Sequence, residues 1–216
     1  MRVLLTGGSG FIGSHIAVLL LEKGYDVLIL DSFVNSSSNV TQVLKAYLDN
    51  KNLNYNLNTV IGDIRDKKIL DKIFNDSLNE SNPIQTVIHL AGLKSVSESL
   101  HNPLHYWDVN VCGTLNLLAT MIENKCFSLV FSSSATIYGL TDSIPISEDH
   151  EISPITPYGK TKVAIENIFY DLYKSKMHSW KICSLRYFNP VGAHPSGLIG
   201  EDPLGTPNNL FPFITQ

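Results

Sequence analysis

The stretch Gly7-Gly8-Ser9-Gly10-Phe11-Ile12-Gly13, close to the N-terminus, constrains the fold more than any other feature of this sequence. Residues 2–5 before it form a short apolar run typical of a strand, and residues 11–23 after it show the apolar spacing of a helix. Glycines at positions 7, 10 and 13 suit a tight turn, a close approach of backbone to a pyrophosphate, and close packing of helix on strand. Glycines alone could mark only a flexible turn. The strand, loop and helix together predict a dinucleotide site, with the helix N-terminus facing the phosphates.

A second apolar run, residues 27–30, ends at Asp31. A carboxylate at the end of this strand can accept hydrogen bonds from both ribose hydroxyls, and it would repel the extra phosphate of NADP. A solvated aspartate is the alternative. Within the whole unit, Asp31 favours NAD as the cofactor.

Composition limits the classes of partner. The chain has 216 residues, of which 44% are hydrophobic and 17% charged, with a net charge of -4. This is an ordinary globular composition, and without a basic cluster we expect no nucleic acid and no membrane as partner. No apolar run is long enough to cross a bilayer, and the N-terminus enters a strand directly, so we expect a cytoplasmic protein. Three widely spaced cysteines predict reduced thiols, and the histidines lack ligand spacing, so no metal is expected.

The order of elements predicts an α/β fold with a doubly wound parallel sheet, because strand and helix patterns alternate. The asparagine-rich residues 49–58 are expected to form a surface loop. After residue 187 the sequence becomes rich in Pro, Gly and Asn, which predicts a first domain over 1–187 and the start of a smaller substrate domain over 188–216. Further strands are predicted over residues 59–62, 86–90, 128–132 and 181–187, and helices over 67–78, about 104–124 and 158–175.

Tyr158 and Lys162 are four residues apart and so share one face of a predicted helix. A phenol must lose about 4 kcal/mol of its proton affinity to act as a base near neutral pH. A cation at about 4 Å supplies roughly that much. We therefore expect Lys162, helped by an oxidised nicotinamide ring, to lower the pKa of Tyr158. Two residues that merely share a surface are the alternative.

Ser134 lies in a serine cluster at the end of a predicted strand, where open α/β sheets bind their ligands. Its hydroxyl could steady the proton that Tyr158 removes. A serine cluster is more often a polar turn, but Ser, Tyr and Lys together downstream of a dinucleotide loop are far more specific than any one of them.

With these residues the chain resembles the extended short-chain dehydrogenase/reductase superfamily and, within it, the enzymes that epimerise UDP-sugars at C4. The resemblance covers nearly the whole chain. It is carried by residues 6–15, by Gly62-Asp63-Ile64-Arg65, by residues 89–94, by residues 132–139, and by Leu185-Arg186-Tyr187-Phe188-Asn189-Pro190-Val191-Gly192-Ala193-His194-Pro195.

The resemblance implies a Rossmann fold, a recycled NAD, a UDP-sugar substrate and a 4-keto intermediate. It also implies a homodimer formed through the helices at 104–124 and 158–175, although their apolar faces could simply pack on the sheet. The implied catalytic residues are Ser134, Tyr158 and Lys162. The implied NAD contacts are Gly7, Gly10, Phe11, Ile12, Gly13, Asp31, Asn35, Ser36, Asp63, Ile64, Leu90, Ala91, Gly92, Lys94, Tyr158, Lys162 and Phe188. The implied contacts to the UDP-sugar are Lys94, Ser134, Ala135, Thr136, Tyr158, Asn189, Asn208, Asn209 and Leu210.

Three alternatives remain. In sugar-nucleotide 4,6-dehydratases an acidic pair follows the active-site hydroxyl residue, whereas Ala135 and Thr136 follow Ser134 here. A simple NAD-dependent dehydrogenase would leave the block at residues 189–195 unexplained. Members of the resembled group continue well past Gln216, so we expect a truncated substrate domain, and an NAD-binding chain without turnover is the third alternative.

Overall fold

The computed structural model describes residues 1–204 and 209–215. The strands are β1 (Arg2–Thr6), β2 (Asp26–Asp31), β3 (Asn56–Ile61), β4 (Ile84–His89), β5 (Ser128–Ser134) and β6 (Lys181–Tyr187). The helices are α1 (Phe11–Glu22), α2 (Val40–Asn50), α3 (Lys67–Asn79), α4 (Val96–His101), α5 (Pro103–Tyr106), α6 (Gly113–Glu123), α7 (Pro157–Ser175) and α8 (Leu210–Thr215). A π-helical segment (Trp107–Cys112) joins α5 to α6, and a 3-10 turn (Ala135–Tyr138) follows β5.

The six strands form one parallel sheet in the order β3-β2-β1-β4-β5-β6. Consecutive strands run outward from β1 in one direction and then outward from β4 in the other, which is the doubly wound arrangement. The predicted α/β Rossmann fold is therefore confirmed. The order of strands reverses between β1 and β4, and open α/β sheets bind ligands at that position.

Helices cover both faces of the sheet and give two hydrophobic cores. Alternate residues of β1 point to opposite faces, so Leu4 belongs to the core under α3, α6 and α7, while Val3 and Leu5 belong to the core under α1 and α2. Every residue of β1 is buried. Burial on both faces explains why this strand reads as a continuous apolar run.

Three parts of the chain differ from the sequence prediction, and the first is α2 (Val40–Asn50), where no helix was predicted. Residues 49–58 are not a loop throughout, because they include the end of α2 and the start of β3. In β3, exposed Asn56 and Asn58 flank buried Leu57, so this edge strand is polar on one face. The predicted long helix over 104–124 is divided into α5, the π-helical segment and α6, and α4 precedes it. Most other boundaries agree within two residues.

Strand β6 ends at Tyr187, and the division into domains at that residue remains a prediction. None of the helices in the described part of the chain is long and apolar enough to cross a membrane.

Candidate active site

A cavity of about 780 Å³ lies at the carboxyl ends of the strands. Its wall includes residues at or just after the end of all six, from the turn after β1 to Phe188 after β6. The predicted site residues in this wall are Gly7, Gly10, Phe11, Ile12, Gly13, Asp31, Asn35, Asp63, Ile64, Leu90, Ala91, Gly92, Lys94, Ser134, Thr136, Tyr158, Lys162, Phe188, Asn189 and Asn209. Ser36, Ala135 and Leu210 are not among the lining residues. Asn208 lies outside the described residues.

The glycine turn after β1 is tight because the chain has no room for side chains there. Gly7 has φ +71°, and a Cβ on it would lie 2.6 Å from the backbone nitrogen of Ala91. A Cβ on Gly13 would lie 2.5 Å from the carbonyl oxygen of Gly7. Helix α1 begins after Gly10, and no side chain caps it. The first-turn N–H groups of α1 therefore face the cavity wall without a side-chain acceptor.

Asp31 is held at the end of β2 by three hydrogen bonds. Its Oδ2 accepts from the backbone N–H of Ser9 at 2.9 Å, and its Oδ1 accepts from the Phe33 N–H at 3.0 Å and the Ser36 hydroxyl at 2.9 Å. A carboxylate has about four acceptor positions, so one is left for a ligand. Ser36 is buried and acts here by orienting Asp31.

Asp63 is bound by Arg65 two residues later. Arg65 Nη2 lies 2.7 Å from Asp63 Oδ2, and its Nη1 lies 2.6 Å from Oδ2 of Asp108 in the π-helical segment. The hydrogen bond from Arg65 lowers the pKa of Asp63, so this carboxyl stays charged. Buried Ile64 packs into the core beside it.

A buried polar chain supports the end of β4. The two ring nitrogens of His89 lie 2.6 Å from the Thr6 hydroxyl and 2.9 Å from the Thr114 hydroxyl. Burial is the main cause that lowers the pKa of His89 to about 3, with a smaller contribution from the charge of Lys162. His89 therefore stays neutral near neutral pH and cannot compete with Lys162 for the positive charge.

Asn110 fixes the turn that follows β4. Its Oδ1 accepts from the Leu93 N–H at 2.8 Å, and its Nδ2 donates to the Leu93 carbonyl at 3.2 Å and to the Thr161 hydroxyl at 3.1 Å. Thr161 lies on α7 between Tyr158 and Lys162. The π-helical segment that carries Asn110 thus connects two walls of the cavity.

Tyr158 and Lys162 enter the cavity from the first turns of α7. The Thr156 hydroxyl accepts from the Gly159 N–H at 3.2 Å and Pro157 is the first helical residue, so both residues favour a helix start here. Lys162 Nζ donates to the Ser132 carbonyl at 2.7 Å and lies 5.7 Å from the centre of the Tyr158 ring. Burial lowers the pKa of Lys162 to about 8, and the charge of Glu166 opposes this effect.

Ser134 accepts two hydrogen bonds from Thr136, one from its N–H at 3.2 Å and one from its hydroxyl at 2.9 Å. Since a hydroxyl oxygen has two acceptor positions, the proton of Ser134 is left to donate elsewhere. A hydrogen bond with Ser134 lowers the pKa of Tyr158. The three predicted catalytic side chains therefore converge on one region of the cavity.

The expected lowering of the Tyr158 pKa is not found in the protein alone. Burial raises the pKa of Tyr158 and outweighs the contribution of Ser134. The reason is that desolvation penalises a phenolate, while Lys162 directs a donor to the Ser132 carbonyl. A Tyr158 base near neutral pH would need a further positive charge in the cavity.

Glu201 connects Lys94, which follows β4, with Asn209, which precedes α8; both were predicted site residues, but no contact between their segments was predicted. Its Oε1 lies 3.6 Å from Lys94 Nζ and accepts from Asn209 Nδ2 at 2.6 Å. Glu201 was missed as a site residue, and nothing in the sequence set it apart. Asn110 was noted only because family members carry an asparagine near this position, and its contacts to Leu93 and Thr161 could not be read from the sequence.

The chain matches a protein-family model and is similar in sequence to known proteins. A family model described as GDP-mannose 4,6 dehydratase matches residues 4–207. The chain is 46% identical over 215 residues to a bifunctional UDP-glucose 4-epimerase and UDP-xylose 4-epimerase 1 of Pisum sativum, covering 100% of this chain and 59% of that protein. It is 49% identical over 217 residues to a UDP-glucose 4-epimerase of Yersinia pestis, covering 100% of this chain and 61% of the relative.

A solved structure shares the fold closely. The crystal structure of UDP-glucose 4-epimerase from Bifidobacterium longum in complex with NAD+ and UDP superposes with a TM-score of 0.91 at 41% identity, over 99% of this chain and 61% of that one. The chain thus spans about three fifths of the length of the relatives it matches. It belongs to the family described by the GDP-mannose 4,6 dehydratase model, within the extended short-chain dehydrogenase/reductase superfamily.

Proposed function

We propose that this chain binds NAD and acts as a UDP-glucose 4-epimerase, which interconverts UDP-glucose and UDP-galactose. The observation that carries the proposal is the convergence of Ser134, Tyr158 and Lys162 on the cavity that also contains the glycine turn and Asp31. The names of the Pisum sativum and Yersinia pestis relatives support the same activity.

The cavity fits NAD on three counts. The uncapped N-terminus of α1 presents N–H groups to a pyrophosphate, and Asp31 keeps one acceptor position for a ribose. The volume of about 780 Å³ lies within the range of cofactor sites. When bound, NAD supplies the hydride acceptor that oxidises C4 of the sugar and afterwards returns the hydride.

The side chains of the protein would manage the proton. Tyr158 would accept the proton of the sugar 4-hydroxyl, and the Ser134 hydroxyl, which is left as a donor, would hydrogen-bond the sugar O4 while that proton moves. Lys162, held by the Ser132 carbonyl, stabilises the Tyr158 phenolate. The 4-keto sugar would then turn about its bond to the diphosphate, and Tyr158 would return the proton to O4 as C4 is reduced from its opposite face.

The dehydratase reaction named by the family model fits this site less well. Elimination of water needs acidic groups beside the active-site hydroxyl, and Ala135 and Thr136 occupy those positions. The methyl group of Ala135 cannot transfer a proton, and the Thr136 hydroxyl donates to Ser134. Epimerisation needs neither group.

Incubation of the purified chain with UDP-galactose tests the proposal, with UDP-glucose followed by chromatography and bound NAD measured after denaturation. We expect conversion and about one NAD for each chain. Bound NAD without conversion would favour an NAD-binding unit that lacks turnover. If the chain neither binds NAD nor converts UDP-galactose, both the proposed cofactor and the proposed activity are wrong.

We also propose a homodimer formed through the helical segments 104–124 and 158–175. Apolar side chains are exposed on these helices, and Leu104 is the most exposed of them at 83%. The others in these two segments are Trp107, Leu115, Tyr170 and Tyr173. Light scattering should give twice the chain mass for the parent and the monomer mass for Leu104→Glu. Leu140→Glu, at an equally exposed apolar residue outside these helices, is the matched control and should leave the mass unchanged.

For the compartment we propose the cytoplasm. Cys112, Cys126 and Cys183 are free thiols, and burial raises the pKa of Cys126 to about 11. Reduced cysteines suit a reducing compartment. Fractionation of cells with an antibody against the chain tests this, and recovery from a secreted fraction would contradict it.

A further inference from the structure

Glu166 lies at the centre of a partly buried polar cluster behind the predicted catalytic side chains. It follows Lys162 by four residues on α7, as Lys162 follows Tyr158, so the three share one face of the helix. Its Oε1 accepts hydrogen bonds from the Ser133 hydroxyl and from Arg186 Nε, the latter at 3.3 Å. Its Oε2 accepts from Arg186 Nη2 at 2.8 Å. The Glu166 side chain is only 12% exposed.

Arg186 extends this cluster to a second segment. Its Nη1 donates to the Tyr138 hydroxyl at 2.8 Å and to the Glu148 carbonyl at 2.9 Å. The guanidinium therefore uses both its edges, and the fork-shaped pairing with Glu166 gives a defined geometry. The contacts join α7 to the 3-10 turn after β5 and to the loop that follows it.

The partners of Glu166 are the immediate neighbours of site residues. Ser133 precedes Ser134 at the end of β5, and Arg186 lies two residues before Phe188. Ser133 and Arg186 also face each other in the register of β5 and β6, and Ser134 faces Tyr187. One carboxylate thus connects the helix that carries Tyr158 and Lys162 with both strand ends that carry the other side of the cavity.

We propose that Glu166 is a positioning residue: through Ser133 and Arg186 it sets the position of α7 relative to the ends of β5 and β6, with its carboxylate one helical turn from Lys162. This inference rests on the proposed function for the roles of Tyr158, Lys162 and Ser134. Glu166 does not line the cavity, so it acts through these residues.

The charges around Lys162 make the proposal specific. Tyr158 and Glu166 lie four residues before and after Lys162 on the same face of α7. His89 at the end of β4 and Lys162 act on each other through their charges, and Arg186 on β6 pairs with Glu166. His89 is neutral near neutral pH because burial lowers its pKa to about 3. Glu166 is the negative charge in this set, and Arg186 partly neutralises it. Removing one charge or the other should therefore move the ionisation of Lys162 in opposite directions.

Titration of Lys162 by NMR tests this without requiring turnover. The chain is labelled with ¹³C-lysine, and the Lys162 Cε resonance is identified by its loss in Lys162→Met. We expect the midpoint to move to lower pH in Glu166→Gln and to higher pH in Arg186→Met. In Glu166→Asp, which keeps the charge, the midpoint should stay near that of the parent.

A purely structural role would give a different pattern. If Glu166 and Arg186 only supported packing, replacing either one would admit water to Lys162 and move its titration midpoint to higher pH in both single variants. The double variant Glu166→Met/Arg186→Met removes both charges together, so it should fold more readily than a variant that leaves one charge unpaired. Its Lys162 titration midpoint should lie between the midpoints of the two single variants. Shifts in one direction for both singles, or no shift in Glu166→Gln, would overturn the proposal. Absence of epimerisation in the parent would instead count against the proposed function and leave this titration valid.

Discussion

The substitution Gly10→Ala separates cofactor binding from folding. A Cβ on Gly10 would meet one neighbouring atom, the Gly7 carbonyl oxygen, at an ordinary contact distance of 3.4 Å. Gly10 has φ -74° and ψ 177°, which alanine adopts without strain. Alanine is a poorer N-cap than glycine, but it also lowers the entropy of the unfolded chain by a similar free energy. We expect the free energy of unfolding to change by less than about 1 kcal/mol.

The same methyl group should weaken NAD binding strongly. Gly10 lines the cavity at the N-terminus of α1, where we propose that the pyrophosphate approaches the backbone. Loss of one hydrogen bond between an N–H group and a charged phosphate costs about 1.5–3 kcal/mol. That corresponds to a dissociation constant about tenfold to a hundredfold higher. Isothermal titration calorimetry of cofactor-stripped protein measures this directly.

Gly24→Ala at the other end of α1 is the matched control. Gly24 has φ +77° and has space for a Cβ, with nothing within 4 Å. The left-handed conformation should cost about 1–2 kcal/mol of stability in urea unfolding, while the dissociation constant for NAD stays the same. If Gly10→Ala bound NAD as tightly as the parent, the assignment of this turn to the pyrophosphate would be wrong.

Three further predictions test other parts of the site. Tyr158→Phe should abolish conversion of UDP-galactose and leave NAD bound, because it removes only the proton acceptor; normal turnover would mean that the base is another residue. Because burial lowers the pKa of His89 to about 3, the unfolded chain binds a proton below about pH 6.5 that the folded chain does not. The free energy of unfolding should therefore fall by about 2 kcal/mol between pH 6.5 and 5. Urea titrations should show less of this fall in His89→Gln, and an equal fall would contradict the buried neutral state. Asn110→Ala should cost about 2–4 kcal/mol of stability, because it leaves the Leu93 N–H and carbonyl without their partner; an unchanged urea midpoint would refute this.

The sheet could be predicted from the sequence because its signals are local. The run before Gly7 and the run that ends at Asp31 are buried on both faces, so their apolar character is continuous. Helix α2 was not predicted, although Val40, Leu44 and Leu48 have helical spacing in the sequence, and Leu44 and Leu48 are buried in the core. The π-helical segment has the apolar spacing of the helices on both sides of it, so spacing alone could not reveal the change in helical geometry.

The candidate site divides along similar lines. Tyr158 and Lys162 were found because four-residue spacing in a helix is visible in the sequence. Glu166 has the same spacing from Lys162, yet its importance depends on Arg186, a partner 20 residues away. The predicted lowering of the Tyr158 pKa included an oxidised nicotinamide ring and stays a prediction. In the protein alone burial raises this pKa, and the sequence shows the nearby cation but not the depth of burial that opposes it.

The central claim is that bound NAD is used and regenerated within one turnover. UDP-galactose carrying deuterium at C4 tests it most directly, with the product analysed by NMR and mass spectrometry. We predict UDP-glucose that keeps the deuterium at C4 without exchange with solvent and without release of reduced cofactor. Conversion with loss of the deuterium to water would contradict hydride transfer to and from a retained cofactor, and would require a different mechanism for Tyr158, Ser134 and Lys162.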